Sequence, residues 1–339
     1  MPRRSKTSIW TKTFQRAVGS LMRTATKAAK KTRRSPPKST RPTKPKPAVK
    51  RPPAPQAGDW ISGVAMAPTG ARLYYLFKPP NVLPSERLPL MVMLHGCGQD
   101  AQSFALSTRM NRVAARERFL VLYPEQDRRA NPQGCWNWFG TRIKTAYGEA
   151  AILMSAVKQV SQLYPVDADR IAIAGMSAGA SMATLMVTRY PDQFKAVAMH
   201  SGVPPGAAES TMSALVAMSG RGASTPLSTS TAWPALLVIH GARDAVVAPS
   251  NGRAAADLWA EAAGPHVEKS RRVSRGLRHP MTVTDFKVRG GRTVATLCAV
   301  DGLDHAWSGG QAKQPYSDEK GPDASRMIWS FAAKRFGSP

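Results

Sequence analysis

The segment best suited to chemistry is Gly175-Met-Ser-Ala-Gly179, in which a serine has one glycine two positions before it and another two positions after it. The apolar run Arg170–Ala174 precedes the segment, and a helical pattern follows it. A serine on such a sharp strand-to-helix turn projects its hydroxyl above a sheet, and the glycines allow the backbones to approach closely. The pattern therefore predicts Ser177 as a nucleophile; the alternative is an ordinary helix-capping serine.

A serine nucleophile requires a general base, and the base requires a carboxylate that orients it. In a strand–nucleophile–helix arrangement these groups follow in the order serine, acid, histidine. The apolar run Ala235–Ile239 leads to Asp244 in a glycine-containing turn, and His305 follows the last apolar run in a glycine-flanked loop. We predict Asp244 as the acid and His305 as the base. Asp301 and Asp304 are the rival acids.

Backbone donors are predicted from a second glycine-rich turn, in Leu94-His-Gly-Cys-Gly-Gln99. Glycines after a strand let the backbone turn its N–H groups toward a developing oxyanion. We assign the N–H groups of Cys97 and Ala178 as these donors. The sequence leaves open whether Cys97 pairs with Cys135 in a disulfide. No histidine spacing indicates a metal site, and the predicted chemistry needs neither a metal nor a cofactor.

The elements that must position these residues begin at residue 58, where apolar runs start to alternate with helical patterns. The predicted strands are Ala71–Phe77, Leu90–Leu94, Phe119–Tyr123, Arg170–Ala174, Ala196–Met199, Ala235–Ile239 and Val294–Val300. The predicted helices are Ala101–Arg118, Tyr147–Leu163, Ala178–Arg189, Asn251–Ala263 and Asp323–Phe336. Continuous apolar strands that alternate with helices indicate a mainly parallel sheet covered by helices on both faces, an α/β fold. Thr282–Val288 and Arg292–Val300 flank a Gly-Gly pair and predict a hairpin.

Charge divides the chain into two parts. Residues 1–57 contain 17 of the 48 Lys and Arg residues and no Asp or Glu, and residues 36–55 contain eight prolines. We predict a disordered basic tail over 1–57, with an amphipathic helix at about 8–31, and a catalytic domain over 58–339. No run of 18 apolar residues exists to span a membrane, and three cysteines in 339 residues exclude a disulfide-dense scaffold.

The tail admits three interpretations. It is a solvated arm with no single partner, or a helix that lies on an anionic or apolar surface such as a lipid layer or a polyester granule. Nucleic-acid binding through its cations is the least favoured of the three. The segment does not fit a secretory signal, because Arg16 and Arg23 interrupt any apolar core there.

A family resemblance rests on five segments. They are Leu94-His-Gly-Cys-Gly-Gln99, Tyr123-Pro-Glu-Gln126, Cys135-Trp-Asn-Trp138, Gly175-Met-Ser-Ala-Gly179 and Asp304-His-Ala-Trp307. Together they resemble the polyhydroxybutyrate (PHB) depolymerase family of esterases, which is related to the feruloyl and acetylxylan esterases of the α/β-hydrolase superfamily. The resemblance implies an α/β-hydrolase fold and hydrolysis of esters of short hydroxyacids or aromatic acids by a Ser-Asp-His triad.

The same resemblance implies further properties. It places Trp136, Trp138 and Trp307 near the substrate pocket; the alternative is that they pack in the core or in loops. It also implies an extracellular location, whereas the lack of an evident signal peptide favours a cytoplasmic, granule-associated one.

The function expected from these patterns is a serine esterase acting on PHB or its short oligomers. A feruloyl- or acetylxylan-type esterase, or a peptidase, on the same scaffold is the alternative enzyme. The alternative of another class is a surface- or nucleic-acid-binding protein with a degenerate hydrolase body, against which the complete set Ser177, Asp244 and His305 argues.

Overall fold

The computed structural model describes residues 58–222 and 232–337. The predicted tail, including its helix at about 8–31, lies outside the described residues. The boundary between tail and catalytic domain stays a prediction, although the first described strand does begin at Asp59.

Ten strands form one sheet. They are β1 (Asp59–Ala67), β2 (Gly70–Lys78), β3 (Leu88–Leu94), β4 (Leu120–Pro124), β5 (Val166–Met176), β6 (Ala196–His200), β7 (Ala235–Gly241), β8 (His266–Val273), β9 (Met281–Val288) and β10 (Thr293–Val300). Their order across the sheet is β1-β2-β4-β3-β5-β6-β7-β10-β9-β8. The strands from β4 to β10 in this order pair in parallel, and antiparallel pairs extend the sheet at both sides. The prediction of a mainly parallel sheet is confirmed.

Two very short strands, β11 (Trp307–Ser308) and β12 (Ser317–Asp318), pair in parallel apart from the main sheet. The helices are α1 (Ala101–Thr108), α2 (Met110–Glu117), α3 (Thr145–Leu163), α4 (Ala178–Arg189), α5 (Thr211–Met218), α6 (Ser250–Ala263) and α7 (Ala324–Phe336), with a 3₁₀ turn at Pro191–Gln193.

The helices cover the sheet in two layers, each with its own apolar cluster. Helices α3, α4 and α6 bury their apolar sides in one cluster, and α1, α2 and α7 bury theirs in the other. All seven residues of β3 are buried, as expected for a strand that is covered on both faces. Because the parallel strands point the same way, their carboxyl ends meet at one edge, and the predicted catalytic residues follow those ends.

Two predictions of local structure need correction. The single helix predicted over Ala101–Arg118 is two helices, because Arg109 adopts a left-handed conformation with φ of 57° and ends α1. The edge strand β8 was not predicted, since its sequence His-Val-Glu-Lys-Ser-Arg-Arg-Val is polar and six of its eight residues are exposed. An edge strand has one neighbouring strand, and this one is mostly exposed to solvent, so it needs no apolar run.

In residues 58–222 and 232–337, no helix is both long enough and apolar enough to cross a membrane.

Candidate active site

The nucleophile turn is built from close backbone contacts. Ser177 lies between the end of β5 and the start of α4 with φ of 55°, and its N–H donates to the carbonyl of His200 at 2.9 Å. A Cβ at Gly175 would lie 2.3 Å from the Gly179 carbonyl oxygen, and a Cβ at Gly179 would lie 2.2 Å from the Leu94 oxygen. No larger residue fits at either position. The glycines therefore let the strand and the helix pack against each other and present Ser177 between them.

The predicted acid and base are hydrogen-bonded to each other. His305 Nδ1 lies 2.8 Å from Asp244 Oδ2, and both side chains are buried. The other carboxylate oxygen, Oδ1, accepts the backbone N–H groups of Val246 and Val247 at 3.0 and 2.9 Å. The carboxylate thus fixes the tautomer with a proton on Nδ1, and Nε2 of His305, which has no hydrogen-bond partner in the described chain, carries the lone pair.

The charge of Asp244 is stabilised despite its burial. Burial would raise the pKa of this carboxyl, but hydrogen bonds from His240 and His305 outweigh that effect and hold the pKa well below its ordinary value. Asp244 is therefore an anion at neutral pH, as an orienting group for a histidine must be. The rival acids lie elsewhere: Asp301 pairs with Arg272, and Asp304 pairs with Arg243 at 3.6 Å on the surface.

A buried neutral histidine connects the loops of the acid–base pair and the nucleophile. His200, at the end of β6, accepts the Ser177 N–H through its carbonyl and the Ser308 N–H through Nε2 at 3.1 Å. Burial lowers the pKa of His200 to about 3, and the charges of His240 and His305 act in the same direction. Its ring therefore stays an acceptor, and it ties the turn of Ser177 to the loop that follows His305.

The predicted oxyanion donors are two backbone N–H groups, and their assignment stays a prediction. Ala178 is the first residue of α4, and an N–H at this position has no acceptor within its own helix. The Cys97 N–H has no hydrogen-bond acceptor among the described residues. Cys97 and Cys135 form a disulfide, which joins the predicted oxyanion turn to the loop of residues 126–140; we call this segment the tryptophan loop.

A small cavity lies next to Ser177, the predicted nucleophile. Its lining consists of Cys97, Cys135, Trp138, Phe139, Ser177, Ala178, Ser181, Val203, Met218 and Val247. The cavity thus brings together the predicted nucleophile, both predicted oxyanion residues and the disulfide. None of the lining side chains carries a charge, so the cavity favours a neutral, apolar acyl group.

Only one of the three predicted pocket tryptophans lies along this cavity. Trp138 lines it, whereas Trp136 and Trp307 are fully buried elsewhere. The Trp136 Nε1–H donates to the His95 carbonyl at 3.0 Å, and the ring of Trp307 stacks on His200 with centroids 4.9 Å apart. Both rings are buried outside the lining of this cavity, which favours the alternative that they pack in the core.

The sequence analysis missed Glu149, on which the tryptophan loop is built. This α3 residue is 4% exposed, and its carboxylate accepts from Gln126 Nε2 at 2.9 and 3.0 Å, from the Asn137 N–H at 2.9 Å and from Asn137 Nδ2 at 2.6 Å. Arg72 lies 3.2 Å away as its buried counter-ion. The sequence does contain a signal that Glu149 is buried, because it falls among the apolar positions of a helix face that also carries Ala146.

No group of three or more His, Cys, Asp or Glu side chains in the described stretches is arranged to hold a metal ion.

Comparisons with known proteins agree with the fold and the motifs. Poly(3-hydroxyalkanoate) depolymerase C of Paucimonas lemoignei is 33% identical over 188 residues, which are 51% of this chain and 44% of that protein. Feruloyl esterase B of Neurospora crassa is 29% identical over 240 residues, 65% of this chain and 77% of that protein. An acetylxylan esterase of Coprinopsis cinerea is 35% identical over 135 residues, 39% of this chain and 35% of that protein. The chain thus spans less than half the length of two of these relatives.

Solved structures share the architecture. Acetyl xylan esterase from Aspergillus awamori superposes with a TM-score of 0.61 at 19% identity, covering 73% of this chain and 94% of that one. This likeness shows the α/β-hydrolase fold. The model of the PHB depolymerase esterases matches residues 72–263, more than half of the sequence. The chain belongs to the PHB depolymerase family of esterases.

Proposed function

We propose that the protein is a serine esterase that hydrolyses carboxylic esters of short hydroxyacids, with PHB or its oligomers as substrate. The observation that carries the proposal is the hydrogen bond from His305 Nδ1 to Asp244 Oδ2, which leaves Nε2 as a base at the edge of the sheet where Ser177 projects. Membership of the family and the uncharged cavity support an ester substrate.

The proposed reaction assigns one role to each of these groups. His305 Nε2 takes the Ser177 proton as the hydroxyl attacks the ester carbonyl, and the N–H groups of Cys97 and Ala178 hold the oxyanion. Asp244 stabilises the imidazolium without taking its proton. His305 then protonates the leaving alcohol, and water releases the acyl-enzyme by the same route.

A feruloyl- or acetylxylan-type esterase is the second candidate. The aromatic wall of Trp138 and Phe139 favours it, since a planar acyl group packs on such rings. A peptidase on this scaffold, and a binding protein with an inactive body, are the remaining alternatives.

Product analysis distinguishes these candidates. The enzyme is incubated with amorphous PHB, hydroxybutyrate dimers, feruloyl esters, acetylated xylan and peptide amides, with Ser177→Ala as the control. We expect release of hydroxybutyrate that the variant abolishes. Release of ferulate or acetate alone would favour the second candidate. A wild-type protein that no fluorophosphonate probe labels at Ser177 would favour a binding protein.

The tail is proposed to hold the catalytic domain at a granule or another anionic surface. Residues 1–57 combine 17 cations with the apolar side chains of Trp10, Phe14, Val18 and Leu21. Deleting residues 1–57 is expected to leave hydrolysis of small soluble esters unchanged and to weaken co-sedimentation with granules or anionic vesicles. Equal sedimentation of both proteins would make the tail a solvated arm.

The disulfide bears on the compartment. A Cys97–Cys135 bond persists in an oxidising environment, so it favours the extracellular location over the cytoplasmic one. We propose that the protein works outside the reducing cytoplasm. Thiol counting on denatured protein taken directly from its source cells tests this, and three free thiols would contradict it.

A further inference from the structure

A second cavity, far larger than the one beside Ser177, lies between helix α7 and the β8–β10 side of the sheet. Its volume is about 830 Å³. Six of its lining side chains are Lys or Arg, and two are carboxylates; they are Arg271, Arg275, Arg278, Arg326, Lys334, Arg335, Asp285 and Asp323. We call this cavity the basic groove. The proposed esterase chemistry uses none of it.

The two carboxylates leave most of the positive charge of the basic groove uncompensated. Asp285 is bonded to Arg271 and to the hydroxyl of Thr296, and Asp323 caps the amino end of α7 by accepting the backbone N–H of Arg326 at 3.1 Å. Arg275, Arg278, Arg326 and Arg335 form no ion pair with any carboxylate of residues 58–222 and 232–337; they are the unpaired arginines of the groove.

Two of these unpaired arginines are held by contacts within the groove, and the other two, Arg275 and Arg326, are exposed. Arg278 donates to the Gly321 carbonyl at 2.6 Å, and Arg335 donates to the Thr293 carbonyl at 3.4 Å while lying 4.7 Å from the ring centroid of Phe331. Burial, together with the neighbouring charge of Arg292, lowers the pKa of Arg335 below its ordinary value. Convergent cations of this kind repel one another, and an anion in the groove would relieve that repulsion.

The spacing of the cations indicates an extended ligand. Arg326 lies in the first turn of α7 and Arg335 in its last turn, nine positions later. This spacing is about 14 Å along the helix and about half a turn around it, so the two arginines flank the groove from opposite sides of α7. Apolar side chains, among them Met327 and Phe331, lie between these ends. A concave groove with cations at both ends of α7 admits one extended chain that crosses it, whereas a flat charged surface such as a membrane cannot enter it.

We propose that the basic groove binds a chain of phosphate groups, such as inorganic polyphosphate or the backbone of a single-stranded nucleic acid. Guanidinium groups match phosphate oxygens in paired hydrogen bonds, and this favours phosphate over a single carboxylate. The first 57 residues contain 17 cations and no carboxylate, so they cannot supply the anion.

The test compares two double variants of the full-length protein. Arg278→Gln/Arg326→Gln removes two charges from the basic groove. Lys158→Gln/Lys195→Gln removes two exposed charges elsewhere, and neither lysine has an ion pair in the described chain. The probes are labelled inorganic polyphosphate, an oligo(dT) of equal charge and anionic phospholipid vesicles, each titrated at two salt concentrations, with thermal unfolding recorded for every variant.

We expect the groove variant to weaken binding of a phosphate chain by about tenfold and to lower the salt dependence by about one ion for each arginine removed. The control should change binding by less than twofold. Tighter binding of oligo(dT) than of polyphosphate would identify a nucleic acid as the source, since bases can pack on Phe331. Equal effects of both variants, or an effect on vesicles alone, would overturn the proposal. Ester hydrolysis should be unchanged in both.

Discussion

The edge of the sheet that carries Ser177, Asp244 and His305, which we call the catalytic edge, lies beside the tryptophan loop, but the two regions are held in place in different ways. Ser177, Asp244 and His305 each follow the end of a strand, so neighbouring residues in the chain and the parallel sheet position them. The tryptophan loop, residues 126–140, contains no helix or strand, and its position depends on the side chain of Glu149 and on a disulfide to Cys97. The predicted reactive groups are positioned by local sequence, and the wall of the small cavity is positioned by long-range contacts.

The largest expected effect comes from breaking the nucleophile turn. In Gly179→Ala the added methyl would lie 2.2 Å from the Leu94 carbonyl oxygen, and backbone atoms on both sides cannot move apart without separating β3 from α4. We expect loss of esterase activity together with a fall in unfolding free energy of at least about 3 kcal/mol, above the usual cost of overpacking. The measurement is activity and thermal unfolding. Gly337→Ala, where no atom lies within 4 Å, is the matched control and should be neutral.

The second prediction concerns the acid of the catalytic edge. In Asp244→Asn the amide oxygen stays with the N–H groups of Val246 and Val247, and the amide nitrogen faces His305 Nδ1. His305 therefore loses the acceptor that keeps its proton on Nδ1. We expect kcat to fall by about 10³–10⁴-fold with little change in KM. Asp304→Asn, which removes an exposed carboxylate, is the control and should stay within twofold of wild type. A greater loss in the control would show that another carboxylate orients the base.

Sequence patterns predicted the strands of the catalytic edge, because each proposed catalytic residue follows a recognisable strand or lies in a glycine motif. The seven predicted strands all exist, and their carboxyl ends bring Ser177, Asp244 and His305 to one edge of the sheet. Such patterns could not predict the position of the tryptophan loop. Nothing near Trp136 in the chain indicates that its indole packs under the site against His95, since the contact spans 41 positions.

The third prediction tests the long-range support of the tryptophan loop. Glu149→Gln presents an amide N–H₂ to Gln126 and Asn137, which both donate to this position, so donors face donors. We expect a loss of about 1–3 kcal/mol in unfolding free energy and a rise in KM that exceeds any fall in kcat, because Trp138 shifts while the triad stays. Kinetics and chemical denaturation measure both.

Glu261→Gln, an exposed position on α6, is the matched control and should change neither quantity. If Glu149→Gln lowers kcat alone and leaves KM unchanged, the loop does not form the substrate wall.

The last prediction concerns stability in mild acid. It involves both regions, and it has the smallest expected effect on catalysis itself. Burial lowers the pKa of His95, beside the tryptophan loop, to about 4, and that of His200, on the catalytic edge, to about 3, from 6.5. The unfolded chain binds a proton at each below pH 6.5 while the folded protein does not, so stability falls as pH falls. Between pH 7 and 5 we expect a loss of about 2 kcal/mol for each histidine. Urea denaturation at these pH values measures it, and a constant unfolding free energy would contradict the burial of neutral rings.

The central claim is that Ser177 is the nucleophile of an esterase. The most direct test is kcat/KM of Ser177→Ala on a short-chain chromogenic ester, with thermal unfolding measured on the same sample. We predict a fall of about 10⁴-fold or more at an unchanged unfolding temperature, since Ala removes only the attacking oxygen. Activity within tenfold of wild type in a fully folded variant would contradict the claim.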